Sequence, residues 1–167
     1  GLPPEAEGLG DRFVFTGECL RPDEGLTLFS GVEDDRTVRA VAPKLQERTG
    51  AGFRPDGFAH EQHLLIEENG RSALLAGCGH LGMVNTLRAA KRYLGRMPDV
   101  VFGGFHLFEV TPDTPGAGEL IAATARALAE GTTVYYTGHC TGDWAFAQLQ
   151  KTLGDRLRPM NGGTAAE

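Results

Sequence analysis

The sequence predicts an α/β fold, a mixed sheet built from strand-helix units. Three observations carry this. Short apolar runs recur at Ser72–Ala76, Asp99–Phe102 and Thr133–Tyr136. Each is followed by glycines and then by a stretch with apolar residues at helical spacing. Strands alternating with helices in this way predict a sheet with helices on a face.

Taken in order, residues 1–11 are rich in Pro, Gly and Glu and read as a loose terminus. The domain proper is expected over 12–160. Arg12–Thr16 alternates like a strand and Gly17 closes it. Arg21-Pro22-Asp23-Glu24-Gly25 reads as a turn. The stretch 18–59 lacks clear periodicity and is expected to be an irregular insert or lid, with room for a short strand and a short helix in Val32–Thr49. From 61 to 158 the pattern tightens into the strand-helix core. His63–Glu67 and Ser72–Ala76 flank Asn69-Gly70, a hairpin signature. Val84, Leu87, Ala90, Lys91 and Leu94 then recur at helical spacing, with Gly95 as cap and Pro98 as stop. After the strand Asp99–Phe102 and a proline-rich loop, Glu119–Glu130 is a helix ended by Gly131. Thr133–Tyr136 is a strand, Asp143–Leu153 a helix, and Arg156–Arg158 a last short strand before the tail 161–167. Trp144 and Phe146 are expected in the core, and Thr141 is a candidate N-cap.

Composition narrows the function. With 41% apolar and 23% charged residues the chain has a globular balance. A net charge of −6 without Lys/Arg clusters argues against nucleic acid as a partner. No apolar stretch approaches the roughly 20 residues that span a bilayer, so no membrane partner is expected. Cys19, Cys78 and Cys140 are too few and too scattered for a disulfide framework. Reduced thiols and a cytoplasmic location follow as expectations.

The three strands of the core all end in glycine and histidine: Gly77-Cys78-Gly79-His80, Gly103-Gly104-Phe105-His106 and Gly138-His139-Cys140. In α/β sheets ligands bind beyond the carboxyl ends of the strands. One reading is therefore a shared metal site of His80, His106 and His139, since imidazole is a common ligand for divalent transition metals. A second is dinucleotide binding, because Gly77–Gly82 spells G-x-G-x-x-G between a strand and a helix. That reading lacks the acidic residue at the end of the next strand. A third is thiol chemistry at Cys78 or Cys140, set against a plain role as small spacers in tight turns. His60 and His63 read best as a solvated pair, with Glu61 placed to accept a hydrogen bond from a histidine ring. Thr141 and Gly142, at a helix N-terminus facing the histidine edge, are candidates to hold an anionic substrate group.

His60-Glu61-Gln62, Gly77-Cys78-Gly79-His80, Gly103-Gly104-Phe105-His106-Leu107 and Gly138-His139-Cys140-Thr141-Gly142 together resemble the metallo-β-lactamase fold superfamily. Within it they are most similar to the branch of 7,8-dihydropterin-6-yl-methyl-4-(β-D-ribofuranosyl)aminobenzene 5′-phosphate synthase-like proteins. The resemblance covers roughly Arg12–Gly162 and is strongest from Glu61 onward. It implies the C-terminal half of an αββα sandwich and a binuclear centre, usually zinc and sometimes manganese. His80, His106 and His139 would be ligands, with Cys78, Cys140 and Glu61 beside them. It implies a hydrolase or related transferase, in which metal-activated hydroxide acts on an ester or phosphoester of a small molecule. The superfamily's His-x-His-x-Asp-His motif has no counterpart here, and the chain opens on Gly1. The expectation is thus a piece of a longer protein, inactive by itself, that pairs with its other half or with another copy. The alternative is a non-catalytic metal-binding or interaction half-domain that needs a partner chain.

Overall fold

The computed structural model describes residues 8–10, 12–40, 44–163 and 165. Nine strands are described: β1 (Cys19–Asp23), β2 (Leu26–Phe29), β3 (Gln46–Thr49), β4 (Gly52–Pro55), β5 (His63–Glu68), β6 (Arg71–Leu75), β7 (Val100–Phe102), β8 (Val134–Thr137) and β9 (Leu157–Pro159). The helices are α1 (Met83–Leu94), α2 (Ala117–Ala129) and α3 (Asp143–Leu153). Seven strands form one sheet in the order β1-β2-β5-β6-β7-β8-β9, and β3-β4 form a separate hairpin. The sheet is antiparallel from β1 to β6 and parallel from β6 to β9. This is the mixed α/β architecture expected.

The change of direction has a local cause. Asn69 (φ 50°) and Gly70 (φ 74°) are both left-handed, the geometry of a tight hairpin turn, so β5 returns directly as β6. After β6 every connection carries a helix, which parallel pairing requires. Gly95 (φ 75°) ends α1 by donating its N–H to the Lys91 carbonyl.

One lateral row fixes the core. Thr27, Leu65, Leu74, Val101, Tyr135 and Leu157 are in register across six strands, and all are buried. Leu65, Leu74, Val101, Tyr135 and Leu157 meet Leu87 and Ala90 of α1, Ile121 and Leu128 of α2, and Leu149 and Leu153 of α3. Trp144 and Phe146 pack against this core as expected. The opposite face is also apolar. Leu28, Leu64, Leu75, Phe102 and Tyr136 form one row, and Leu26, Ile66, Ala73, Val100 and Val134 another. None of these joins the helix-side core among the described residues. All but Tyr136 are half-buried or exposed. Tyr136 is covered by Phe102, stacked at 5.0 Å, and by the Arg158 guanidinium.

The first third of the chain departs from expectation. Residues 13–17 form no strand, and Val14 and Phe15 are exposed. The stretch 18–59, expected to be irregular, holds β1 to β4 and a short 3-10 turn, Arg36–Val38. Arg21-Pro22-Asp23 lies in β1, and the turn is Glu24-Gly25 alone. Pro22 is tolerated because β1 is an edge strand with a register shift between Leu20 and Asp23. Polar bonds tie the segment to α1. Arg88 pairs with Asp35 at 2.8 Å, Arg92 with Glu33 at 3.4 Å, and the Asn85 amide donates to the Asp35 carbonyl at 3.0 Å. The expected loose stretches 1–11 and 161–167 fall partly outside the described residues.

Candidate metal centre

The carboxyl ends of β6, β7 and β8 bring the three Gly/His turns together. The Gly104 N–H donates to the Gly77 carbonyl at 2.8 Å, joining the first turn to the second. The Cys140 carbonyl accepts the N–H groups of Leu107 (2.9 Å) and Phe108 (3.0 Å), joining the second to the third. Two glycines make these approaches possible. A Cβ on Gly104 would lie 2.2 Å from Cys140 Sγ. One on Gly79, at φ 66°, would lie 2.5 Å from the Gly104 carbonyl oxygen. Real Cβ atoms do not come so close, so neither turn admits a side chain there.

His80 and His106 meet. Their ring centroids are 4.1 Å apart with planes tilted by 54°. Both residues are half-buried, and among the described residues the Nδ1 atom of each is buried without a hydrogen-bond partner. Burial lowers the His106 pKa below its ordinary value, and the neighbouring His80 adds to this, while Glu109 and Glu61 pull the other way. Its neutral form, the one that binds metals, is favoured. The third histidine, His139, opens a 3-10 turn, His139–Thr141, directly after β8; its side chain lies outside the described residues.

The donor chemistry fits a divalent metal: two imidazoles, each with an orphaned buried nitrogen, at one sheet edge. Among the described residues, no group of three or more His, Cys, Asp or Glu is placed to hold a metal ion. His80 and His106 are therefore a pair of neighbouring imidazoles at one sheet edge.

Glu61 sits differently from the expectation of a hydrogen bond from an imidazole. Its carboxylate accepts the backbone N–H groups of His80 (2.7 Å) and Leu81 (3.3 Å). These are the amides that a G-x-G-x-x-G turn would offer to a phosphate. An internal carboxylate takes them, and that closes the dinucleotide reading. The bond joins residues 19 apart in sequence, and no local motif signals it.

The expected solvated pair, His60 and His63, is split. His60 is exposed, near Asp56 at 3.8 Å. His63 is 1% exposed and lies against the Phe29 ring, with neither ring nitrogen hydrogen-bonded. Strand alternation places it beside Leu65 on the helix side, and that signal outweighs its polarity.

Cys78 and Cys140 are neighbours across the first and third turns. The buried Cys140 thiol donates to the Cys78 carbonyl at 3.2 Å. Burial pushes the Cys140 pKa up to about 11. It is a neutral thiol at physiological pH and no activated nucleophile. Cys19 is exposed at the start of β1.

Thr141 is not the N-cap of α3. That position is Gly142, at φ 77°, and no side chain caps the helix. The Thr141 hydroxyl accepts the Phe105 N–H at 3.1 Å and bonds to the Thr137 hydroxyl. A pocket of about 200 Å³ lies here, lined by Thr137, Gly138, Gly142, Asp143, Phe146 and Asn161 among others. Among the described residues no helix is long and apolar enough to cross a membrane.

No protein-family model matches the chain, and no curated protein matches it in sequence. Among solved structures the chain is similar to Tm1679, a metal-dependent hydrolase of the beta-lactamase superfamily. The TM-score is 0.77 at 20% sequence identity, over 92% of this chain and 57% of that one. The fold is of the β-lactamase-superfamily type. This chain spans a little over half of that neighbour's length.

Proposed function

We propose that this chain is the metal-carrying C-terminal portion of a metal-dependent hydrolase, or related transferase, acting on an ester or phosphoester of a small molecule. One observation carries the reading: two imidazoles from successive strand ends stand 4.1 Å apart, each with an unpaired, buried Nδ1. His139, from the third strand end, completes the set in this reading. Zinc is the first choice and manganese the second. When bound, a divalent metal supplies Lewis acidity toward water and toward the ester oxygen. The chain's own residues do the positioning. Glu61 holds the His80 backbone, Gly79 and Gly104 let the turns close, and the tight packing of Cys140 against Cys78 braces the edge. The uncapped N-terminus of α3 at Gly142 is the place for an anionic substrate group, with Thr141 shaping it through the Phe105 amide.

The test is metal stoichiometry. Zinc or manganese should bind the chain, and His80→Ala, His106→Ala and His139→Ala should each weaken binding. Binding that none of the three changes affects would overturn the reading. A second reading is favoured by the open apolar sheet face: a half-domain that acts only with a partner. A second sheet layer, supplied by the partner, covers that face in this reading. On this reading the chain binds metal but turns over neither p-nitrophenyl esters nor bis-p-nitrophenyl phosphate until the partner layer is added.

A further inference from the structure

Among the described residues, three other than glycine have a left-handed backbone: Phe58 (φ 53°), Asn69 (φ 50°) and His106 (φ 48°). Asn69 has a local reason, the Asn-Gly hairpin. Phe58 lies between an Asx turn to Asp56 and the turn it opens toward Glu61, and an aromatic residue rarely adopts this conformation, whereas histidine adopts it more readily. Phe58 and His106 both have their rings against the same imidazole. His106 lies 4.1 Å from His80, and Phe58 stacks on it at 4.5 Å with the planes 3° apart. Strained backbone persists only where the surroundings hold it, and here they do. Phe58 is buried, packed in a small cluster with Leu81 and Val32. Its N–H donates to Asp56 at 2.7 Å, and its carbonyl accepts the Glu61 N–H at 3.0 Å. The turn 56–61 therefore presents a ring to the His80 side chain and a carboxylate to its backbone.

An imidazole ligand is usually oriented by a hydrogen bond from its second nitrogen to a carboxylate or carbonyl. Among the described residues no carboxylate or carbonyl accepts a hydrogen bond from the His80 ring, whose buried Nδ1 is the atom the proposed function leaves for a metal. We propose that Phe58 takes that role by stacking, as a positioning residue that fixes the His80 ring plane while leaving its Nδ1 unpaired. The inference rests on the metal-site reading for its purpose.

The test uses the whole chain in two arms. In the metal-free protein, the ¹H and ¹³C resonances of the His80 ring report its side-chain order. Phe58→Leu should move the ring protons downfield and average the side-chain rotamers, and Phe58→Tyr should restore both. In the second arm, cobalt binding should weaken about 10- to 100-fold in Phe58→Leu, the range for losing an orienting partner, and recover in Phe58→Tyr. Val32→Ala loosens the same cluster without touching the stack and serves as the packing control. The proposal is overturned if Phe58→Leu leaves His80 ordered, or if Val32→Ala disorders it equally. If the unaltered chain binds no cobalt, the metal-site reading fails, and the ring-order arm alone still decides the role of Phe58.

Discussion

Among the described residues His63 is a buried base without a hydrogen-bond partner, and its two orphaned nitrogens decide how it behaves. Burial lowers its pKa from the ordinary 6.5, against an opposing pull from Glu61. The unfolded chain then binds the proton more readily than the folded one. Stability from this group is fully present above the unfolded value, near 6.5, and is lost as pH falls through the lower folded value. Urea titrations between pH 7.5 and 5 should show the loss, and His63→Leu should flatten that part of the profile. The same substitution removes unpaired buried polar atoms, so it should stabilise the chain at neutral pH by about 1 kcal/mol. A destabilised His63→Leu would mean that His63 is held by something other than apolar packing. Glu61 is the opposite case, a half-buried carboxylate with two backbone partners. Glu61→Gln gives up charge-assisted bonds and should cost about 2 kcal/mol, read as a lower denaturation midpoint.

At the scale of elements, the three histidine turns work as one unit because they lock through backbone. Gly104 is the tightest point, with its hydrogen directed at Cys140 Sγ. Gly104→Ala should displace the second or third turn at a cost of about 1–3 kcal/mol and weaken metal binding in parallel. Unchanged stability would show that the turns give way freely. These turns, their helices and the helix-side core were legible in sequence, because buried parallel strands and amphipathic helices leave strong periodic marks. β1 to β4 were not. They are four- or five-residue strands, β1 and β4 are mostly exposed, β3 is built of polar residues, and Pro22 lies inside β1, so they carry little apolar alternation. Arg12–Thr16 had the alternation and yet pairs with no strand. Within the site, the shared edge was legible from three repeated motifs. Glu61 was legible there too, but its bonds to the His80 and Leu81 amides and the stacking of the Phe58 ring were not, because each residue reaches His80 by folding back from about 20 residues away.

The sheet presents two faces that are about equally apolar, and among the described residues helices cover one of them. A one-layer antiparallel sheet normally sets apolar residues inward and polar ones outward. Here both registers of β2, β5, β6, β7 and β8 are mainly apolar, the composition of a sheet sandwiched between layers. A face of this breadth exceeds the scattered apolar residues usual on a monomer surface. The chain by itself should therefore self-associate or bind an apolar dye such as anilinonaphthalene sulfonate. The double substitution Leu64→Lys, Phe102→Lys places charges in the middle of the open face, on strands whose opposite side stays packed. It should abolish dye binding and shift the sedimentation coefficient toward the monomer. Helical circular dichroism should be unchanged, because none of the helices touches that face among the described residues. If the substituted chain instead loses its helices, the face is already covered from within and no second layer is needed. If it stays folded and monomeric, the face is where a second layer docks, and the histidine edge at its rim then lies between two layers, where water is restricted and a metal's charge acts most strongly.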